Sequence, residues 1–258
     1  MIRPWISVVV PAHNEEDGIA DTVLRLREWL TARPGDFELL VVDNASEDST
    51  IGEIEPLLDG SRVRLLRNER NMGKGHSVRR GMLEASGALR LHCDADCAVC
   101  LPSLPRMLEL IEDSDVVVGS RLAPGAELGR RQPLGRRIVG RSFQQLCRAV
   151  LREPTSDLFC GFKLWRAEAA EASYSCIHLD GWTFDAEVLA MARALGFRLC
   201  ETGIVWADRE GSRLRMGRTL VPVLRELIAA RRHVKRQVAA AGTPAERAMP
   251  EPVELVDS

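Results

Sequence analysis

Short apolar runs rich in β-branched residues alternate with stretches of helical period through the first half of the chain. Residues 6–10 form such a run, closed by Pro11, which is the mark of a strand buried on both faces in a parallel sheet. Glu15, Glu16 and Asp17 suit a helix N-terminus. Ile19, Val23, Leu26 and Leu30 then repeat along one face until Pro34 and Gly35 stop the pattern. Residues 37–42 are the next apolar run, and strand, helix, strand in that order implies a right-handed crossover between parallel neighbours. Further strands are expected at residues 63–66, 88–93 and 115–119, with helices around 50–58, 74–85 and 104–112. The fold class is therefore α/β, a mostly parallel central sheet flanked by helices.

Beyond Arg121 the pattern loosens. Residues 122–137 are rich in Gly, Pro and Arg and exceed the usual length of a connection. A helix over about 141–152, an insertion around 160–165, a helix over 185–195 and a strand near 203–206 complete the expected core. Residues 218–238 read as a basic amphipathic helix, with Leu220, Val223, Leu224, Leu227 and Ile228 beside Arg225, Arg231, Arg232, Lys235 and Arg236. Such a stripe either rests on an anionic membrane surface or packs on the core. The Ala-, Pro- and Glu-rich residues 239–258 predict a disordered tail, leaving one domain over residues 1–238.

A chain of 258 residues with 45% hydrophobic and 28% charged content can bury one sizeable core. Its 35 Lys and Arg against 37 Asp and Glu leave no global field to gather nucleic acid, which is excluded as a bulk electrostatic partner. Seven scattered cysteines, an odd number, suit a reducing compartment rather than a disulfide framework. The first apolar run leads straight into His13, Asn14 and two glutamates with no cleavage-site pattern, and no run approaches membrane-spanning length. The expected location is cytoplasmic, with peripheral contact to the cytoplasmic membrane face through the basic helix; oligomeric state is left open.

Polar and acidic residues fall just past the ends of three expected strands, at 13–16, 43–48 and 94–96, where open α/β sheets place ligands. The first turn reads Pro-Ala-His-Asn-Glu-Glu rather than Gly-x-Gly-x-x-Gly, so a dehydrogenase is disfavoured. Asp94 and Asp96 flank Ala95, and strand alternation would aim both carboxylates at one cation. Mg²⁺ or Mn²⁺ held by one or two carboxylates and a diphosphate fits that pair, although two acids capping a loop is the plainer reading. Asp43 is placed to accept hydrogen bonds from a base or ribose, whereas Asp48 or Ser49 suits a helix cap. Two glycines around Lys74 let a backbone approach a nucleotide closely, or form a turn with a solvated lysine. Cys93, Cys97 and Cys100 lack a convincing fourth zinc ligand.

The motifs Val-Pro-Ala-His-Asn-Glu-Glu, residues 43–50, residues 71–81, Asp94-Ala95-Asp96 and Gly119-Ser120-Arg121 occur in an order that resembles inverting glycosyltransferases of family 2 with the GT-A fold. Cys160-Gly161-Phe162-Lys163-Leu164, the segment 182–187 and Gly211-Ser212-Arg213-Leu214 look like the dolichyl-phosphate glucosyltransferase and mannosyltransferase branch, the glucosyl members above all. The resemblance implies transfer of a hexose from a nucleotide sugar, UDP-glucose or a related donor, to a polyprenyl phosphate. It implies a donor site of Pro11, Ala12, Asn14, Glu15, Asp43, Lys74, Asp94 and Ala95, with Asp94 and Asp96 holding Mg²⁺ or Mn²⁺. Asp96, Asp185, Arg121 and Arg213 fall at the reacting centre. Arg121, Arg136, Arg137, Ser212 and Arg213 are candidates for the acceptor phosphate, because guanidinium forks bind its oxygens in pairs. Asp185 would order Arg213 or Lys163, or simply begin a helix, and it should face away from Glu187. In the mannosyl branch a glutamine stands where this chain has Ala98. Cys97 replaces a glycine and Arg213 a lysine. Two other readings stay open: transfer to a hydroxyl of a small molecule or polysaccharide, and a noncatalytic nucleotide-sugar-binding module.

Overall fold

A computed structural model describes residues 3–129, 134–206 and 220–241. The three expected early strands are β1 (Ile6–Ala12), β2 (Phe37–Asp43) and β3 (Val63–Arg67), followed by β4 (Leu89–Cys93) and β5 (Val116–Ser120). Two-residue strands β6 (Glu127–Leu128) and β9 (Val205–Trp206) pair with each other, and β7 (Phe162–Arg166) and β8 (Leu199–Gly203) join the main sheet. Its order is β3-β2-β1-β4-β7-β5-β8. The chain winds outward from β1 to β3 and then returns to lay β4 on the opposite side of β1, both contacts parallel. Strand order therefore reverses between β1 and β4, and their C-terminal ends open on a single crevice, the usual ligand position in such sheets.

The sheet is buried on both faces, and the two-residue period of its strands sorts the core in two. Val8, Val10, Leu39 and Val41 face α1 (Ile19–Thr31), α2 (Thr50–Ile54) and α4 (Leu104–Leu110); Val9, Leu40 and Val42 face the other layer. That second layer holds α3 (Lys74–Glu84), α5 (Leu134–Leu151), α6 (Ala167–Cys176), α7 (Phe184–Ala194) and α8 (Leu220–Ala241). Ile19, Val23, Leu26 and Leu30, the apolar stripe of α1, are all fully buried, each contributing roughly 1.5–3 kcal/mol.

The one strand expected near 203–206 is two, β8 in the main sheet and β9 paired with β6, and four further features differ from the sequence expectation. Residues 160–165 are no insertion: β7 lies inside the sheet, antiparallel to both β4 and β5. Gly161 and Lys163 interrupt its apolar run, yet Phe162 and Leu164 fill one core and Trp165 the other. Helix α6, built largely of small residues, had no sequence signal. Helix α5 begins at Leu134 rather than near 141, so part of the loose segment is helical. Helix α8 runs to Ala241, three residues into the expected tail, with 242–258 outside the described residues.

Part of the expected stripe of α8 packs on the core: Leu227 and Ala230 are completely buried in the same cluster as α5 and α7, with Val223 and Val234 against it, whereas Ile228 is exposed. Its outer face exposes Arg225, Arg232, Lys235 and Arg236. Among the described residues no helix is long and apolar enough to cross a membrane.

Candidate active site

Three strand-end loops meet at the crevice and are tied together by short polar side chains. After β1, Asn14 takes a left-handed φ of 56°, its N–H donating to Ser46 Oγ and its Oδ1 accepting from the Glu47 N–H at 2.8 Å. The Glu15 N–H donates to Thr50 Oγ1 at 2.7 Å, and the carbonyl of Ala12 accepts from the Asn44 N–H. Ala12 thus joins the first loop to the second, with Pro11 paired to Val42 in the strand before it. Asp43 is buried, its carboxylate accepting the Ser46 N–H within its own loop. The residue beside it, Asn44, is a hub that sequence reading passed over: its Oδ1 accepts from Asn68 and the Met72 N–H, and its Nδ2 donates to Asn71.

Gly73, at a φ of 94°, turns the third loop into α3; a side chain there would collide with the Asp180 carbonyl. Lys74 then reaches across the crevice, and its Nζ donates to Asp94 Oδ2 at 2.7 Å and lies 3.9 Å from Asp185 Oδ2. The solvated-lysine reading is excluded. Burial alone would lower the Lys74 pKa, but the two carboxylates reverse this and raise it.

Asp94 and Asp96 occupy the turn just past β4, where strand alternation has ended, yet one oxygen of each and Cys97 Sγ all lie within 4.8 Å of one another. The turn is pinned by Thr22 of α1, which donates to the Ala95 carbonyl, and by the Asp94 N–H to the Gly161 carbonyl at 2.8 Å. Gly161 presses so closely on the Asp94 carboxylate that any Cβ would overlap it. Each Asp94 oxygen has one partner, Lys74 on Oδ2 and His92 Nε2 on Oδ1 at 2.9 Å. Burial would raise its pKa, but Lys74 and His92 together drive it well below the carboxylate range. Asp96 is exposed and behaves oppositely: partial burial and then the charge of Asp94 raise its pKa. A dication would relieve that repulsion, so the donor set fits a hard cation held chiefly by Asp96, with Asp94 contributing what Lys74 and His92 leave. Cys97 is buried with its pKa raised well above the usual range by hydrogen bonding to Cys100 and burial, which keeps it a neutral thiol and a poor ligand.

Beneath this pair lies a buried charge cluster. Lys163 on β7 is cross-strand partner to His92 on β4, and both point to the layer where α7 begins. Lys163, completely buried, donates to Asp185 Oδ1 at 2.6 Å and to the Cys160 carbonyl. His92 has Asp94 on one ring nitrogen and, 3.9 Å from the other, Asp185. Burial lowers the His92 pKa despite both carboxylates, so the ring is neutral. Asp185 is therefore set against Lys163, one of its two expected partners, while Glu187 turns to the opposite side of α7 toward His178.

Arg121 closes its guanidinium fork on Asp157, with 2.7 Å from Nε and 2.8 Å from Nη2. Burial would lower its pKa, but Asp157 outweighs it and raises it, and the carboxylate in turn is lowered. Two donors of this acceptor-phosphate candidate are thus already taken. The Arg136 and Arg137 side chains, and all of Ser212 and Arg213, lie outside what is described. All seven cysteines are free. Asp157 followed no motif, whereas His92 had a faint signal as a buried-strand polar residue beside Arg90 in β4.

The chain matches the profile of Glycosyl transferase family 2 over residues 7–173. The dolichyl-phosphate beta-glucosyltransferase of Dictyostelium discoideum is 29% identical over 81% of this chain and 68% of its own length, and that of Drosophila melanogaster is 30% identical over 81% and 69%. The crystal structure of glucosyl-3-phosphoglycerate synthase from Mycobacterium tuberculosis, holding Mn²⁺, UDP-glucose and phosphoglyceric acid, superposes with a TM-score of 0.63 at 21% identity, covering 90% of this chain and 80% of that one. The likeness establishes a GT-A fold for the sheet and its crevice. The chain belongs to glycosyl transferase family 2 and is a glycosyltransferase.

Proposed function

We propose that the protein transfers a hexose from a nucleoside-diphosphate sugar, UDP-glucose first among the donors, to a polyprenyl phosphate, with inversion at the anomeric carbon. The observation that carries this reading is the pairing of an exposed Asp96 with a Lys74-neutralised Asp94 at the β1/β4 crevice, in a chain similar to dolichyl-phosphate glucosyltransferases over most of its length. Asp96, with Asp94, would hold Mg²⁺ or Mn²⁺, which when bound would neutralise the departing diphosphate. Pro11, Ala12, Asn14, Glu15, Asp43 and Ala95 frame the nucleotide. Lys74 carries positive charge to the same mouth.

A phosphate acceptor is already largely anionic near neutral pH, its second pKa being about 6, so it needs cations more than a base. That agrees with Asp185: buried and ion-paired with Lys163 at 2.6 Å, it is suited to holding charge in place rather than to taking a proton from a hydroxyl. Arg121, oriented by Asp157, and Arg136, Arg137, Ser212 and Arg213 are the proposed acceptor-phosphate contacts. The exposed basic face of α8 would meet an anionic membrane surface while its apolar stripe stays on the core.

The test is incubation with several nucleotide sugars, Mg²⁺ or Mn²⁺ and short polyprenyl phosphates, with mass detection of the lipid-phosphate sugar. A metal-dependent polyprenyl-phosphate hexose is expected. Nucleotide-sugar binding without transfer to any lipid phosphate would overturn the reading.

A further inference from the structure

A second group of metal-competent side chains lies on the side of α7 away from Asp185. Glu187 is completely buried. Its Oε2 accepts the backbone N–H groups of His178 and Leu179 at 3.2 and 2.9 Å. Its Oε1 is buried without a hydrogen-bond donor, although His178 Nδ1 lies only 2.6 Å away at an angle that makes no hydrogen bond. From α8, His233 brings its ring against that of His178, centroids 4.5 Å apart, and places Nε2 2.5 Å from the Cys176 carbonyl. One ligand atom from each of His178, Glu187 and His233 lies within 4.8 Å of the other two.

Two imidazoles and a carboxylate are the donor set of a Zn²⁺ ion that keeps one position for water, and a poor set for Mg²⁺, which prefers oxygen. A buried carboxylate oxygen without a donor is costly unless a cation or proton meets it. The Cys176 carbonyl holds the His233 ring as the outer partner of a ligating histidine does. The His178 side chain is 43% exposed, which supplies a path from solvent.

We propose that His178, Glu187 and His233 form a transition-metal site, best matched to Zn²⁺, that clamps α8 to α7 and to the loop before it. That loop already reaches the donor crevice, since the Asp180 carbonyl accepts the Gly75 N–H at 2.7 Å. The ion would therefore fasten the wall behind Lys74 while remaining separate from the all-oxygen pair Asp94 and Asp96.

The test is Zn²⁺ titration of the full chain in excess Mg²⁺, which occupies the acidic pair, followed by Tm, bound-metal stoichiometry and the visible spectrum of the Co²⁺-loaded protein. One equivalent should bind, Co²⁺ should show tetrahedral d–d absorption, and Tm should rise by about 5–10 °C at a hundredfold excess over Kd. H233A and H178A should each lose all three responses. The proposal fails if the wild-type protein shows no Zn²⁺ response. It fails equally if the response survives in H233A or, should that variant not fold, in H178A, because the ion would then be held elsewhere, for example by cysteines.

Discussion

Replacing Lys163 by Met removes the cation at the bottom of the site and leaves Asp185 buried. The remaining positive neighbour of Asp185 in the charge cluster, Lys74, is 3.9 Å away and already committed to Asp94. At 2.6 Å, and with an effective dielectric of about 20, the Lys163–Asp185 attraction amounts to about 6 kcal/mol. Desolvation of two ions offsets much of that in the intact pair, but truncating one partner exposes the penalty of the other, at about 3–5 kcal/mol. For a domain of this size each kcal/mol lowers Tm by about 2–4 °C, so Lys163→Met should lose roughly 6–20 °C. Asp185→Asn should also destabilise, because it strands the lysine. The double variant should be less destabilised than the sum of the two, with a coupling of at least about 2 kcal/mol in a double-mutant cycle. Equilibrium unfolding in urea, followed by circular dichroism, measures all four corners. Additivity within about 0.5 kcal/mol, or a Lys163→Met variant that unfolds like the parent, would refute the buried ion pair and the role assigned to β7.

Asp96→Asn should separate stability from function. A raised carboxylate pKa in the folded state means that the ionised form weakens folding, so this contribution is absent at pH 3 and grows as pH rises through the interval between the unfolded and folded pKa values. The variant should therefore be more stable than the metal-free parent at pH 7, equal to it at pH 3, and without metal-dependent transfer; full metal-dependent transfer by the variant would remove Asp96 as ligand. Gly161→Ala should push Asp94 off Lys74 and His92, lowering kcat/KM by at least about tenfold while the far-UV spectrum stays unchanged; wild-type kcat/KM would show that the turn relaxes without cost.

The first half of the fold was legible because its strands are buried on both faces and its helices show one apolar stripe, so composition and period agree. The family motifs then located Asp94, Asp96, Lys74 and Asp185 in sequence. β7 escaped because Lys163 and Gly161 look polar and flexible in isolation; only the carboxylate of Asp185 on α7 and the Cys160 carbonyl make a buried lysine acceptable there. Asp157 and Asn44 escaped for a related reason, since each acts through partners distant in the chain.

Sequence by itself determined the alternation of elements, the two-faced core and the acidic turn at a strand end, all properties of local period and residue type. Tertiary structure alone decided that Asp94 pairs with Lys74 and His92 while Asp96 faces outward, and that Leu227 and Ala230 of α8 are covered by the core. The physical reason is that charge pairing and desolvation depend on which side chains converge across the sheet, and convergence of side chains from different elements, such as Lys74 of α3 on Asp94 past β4, leaves no trace in local pattern.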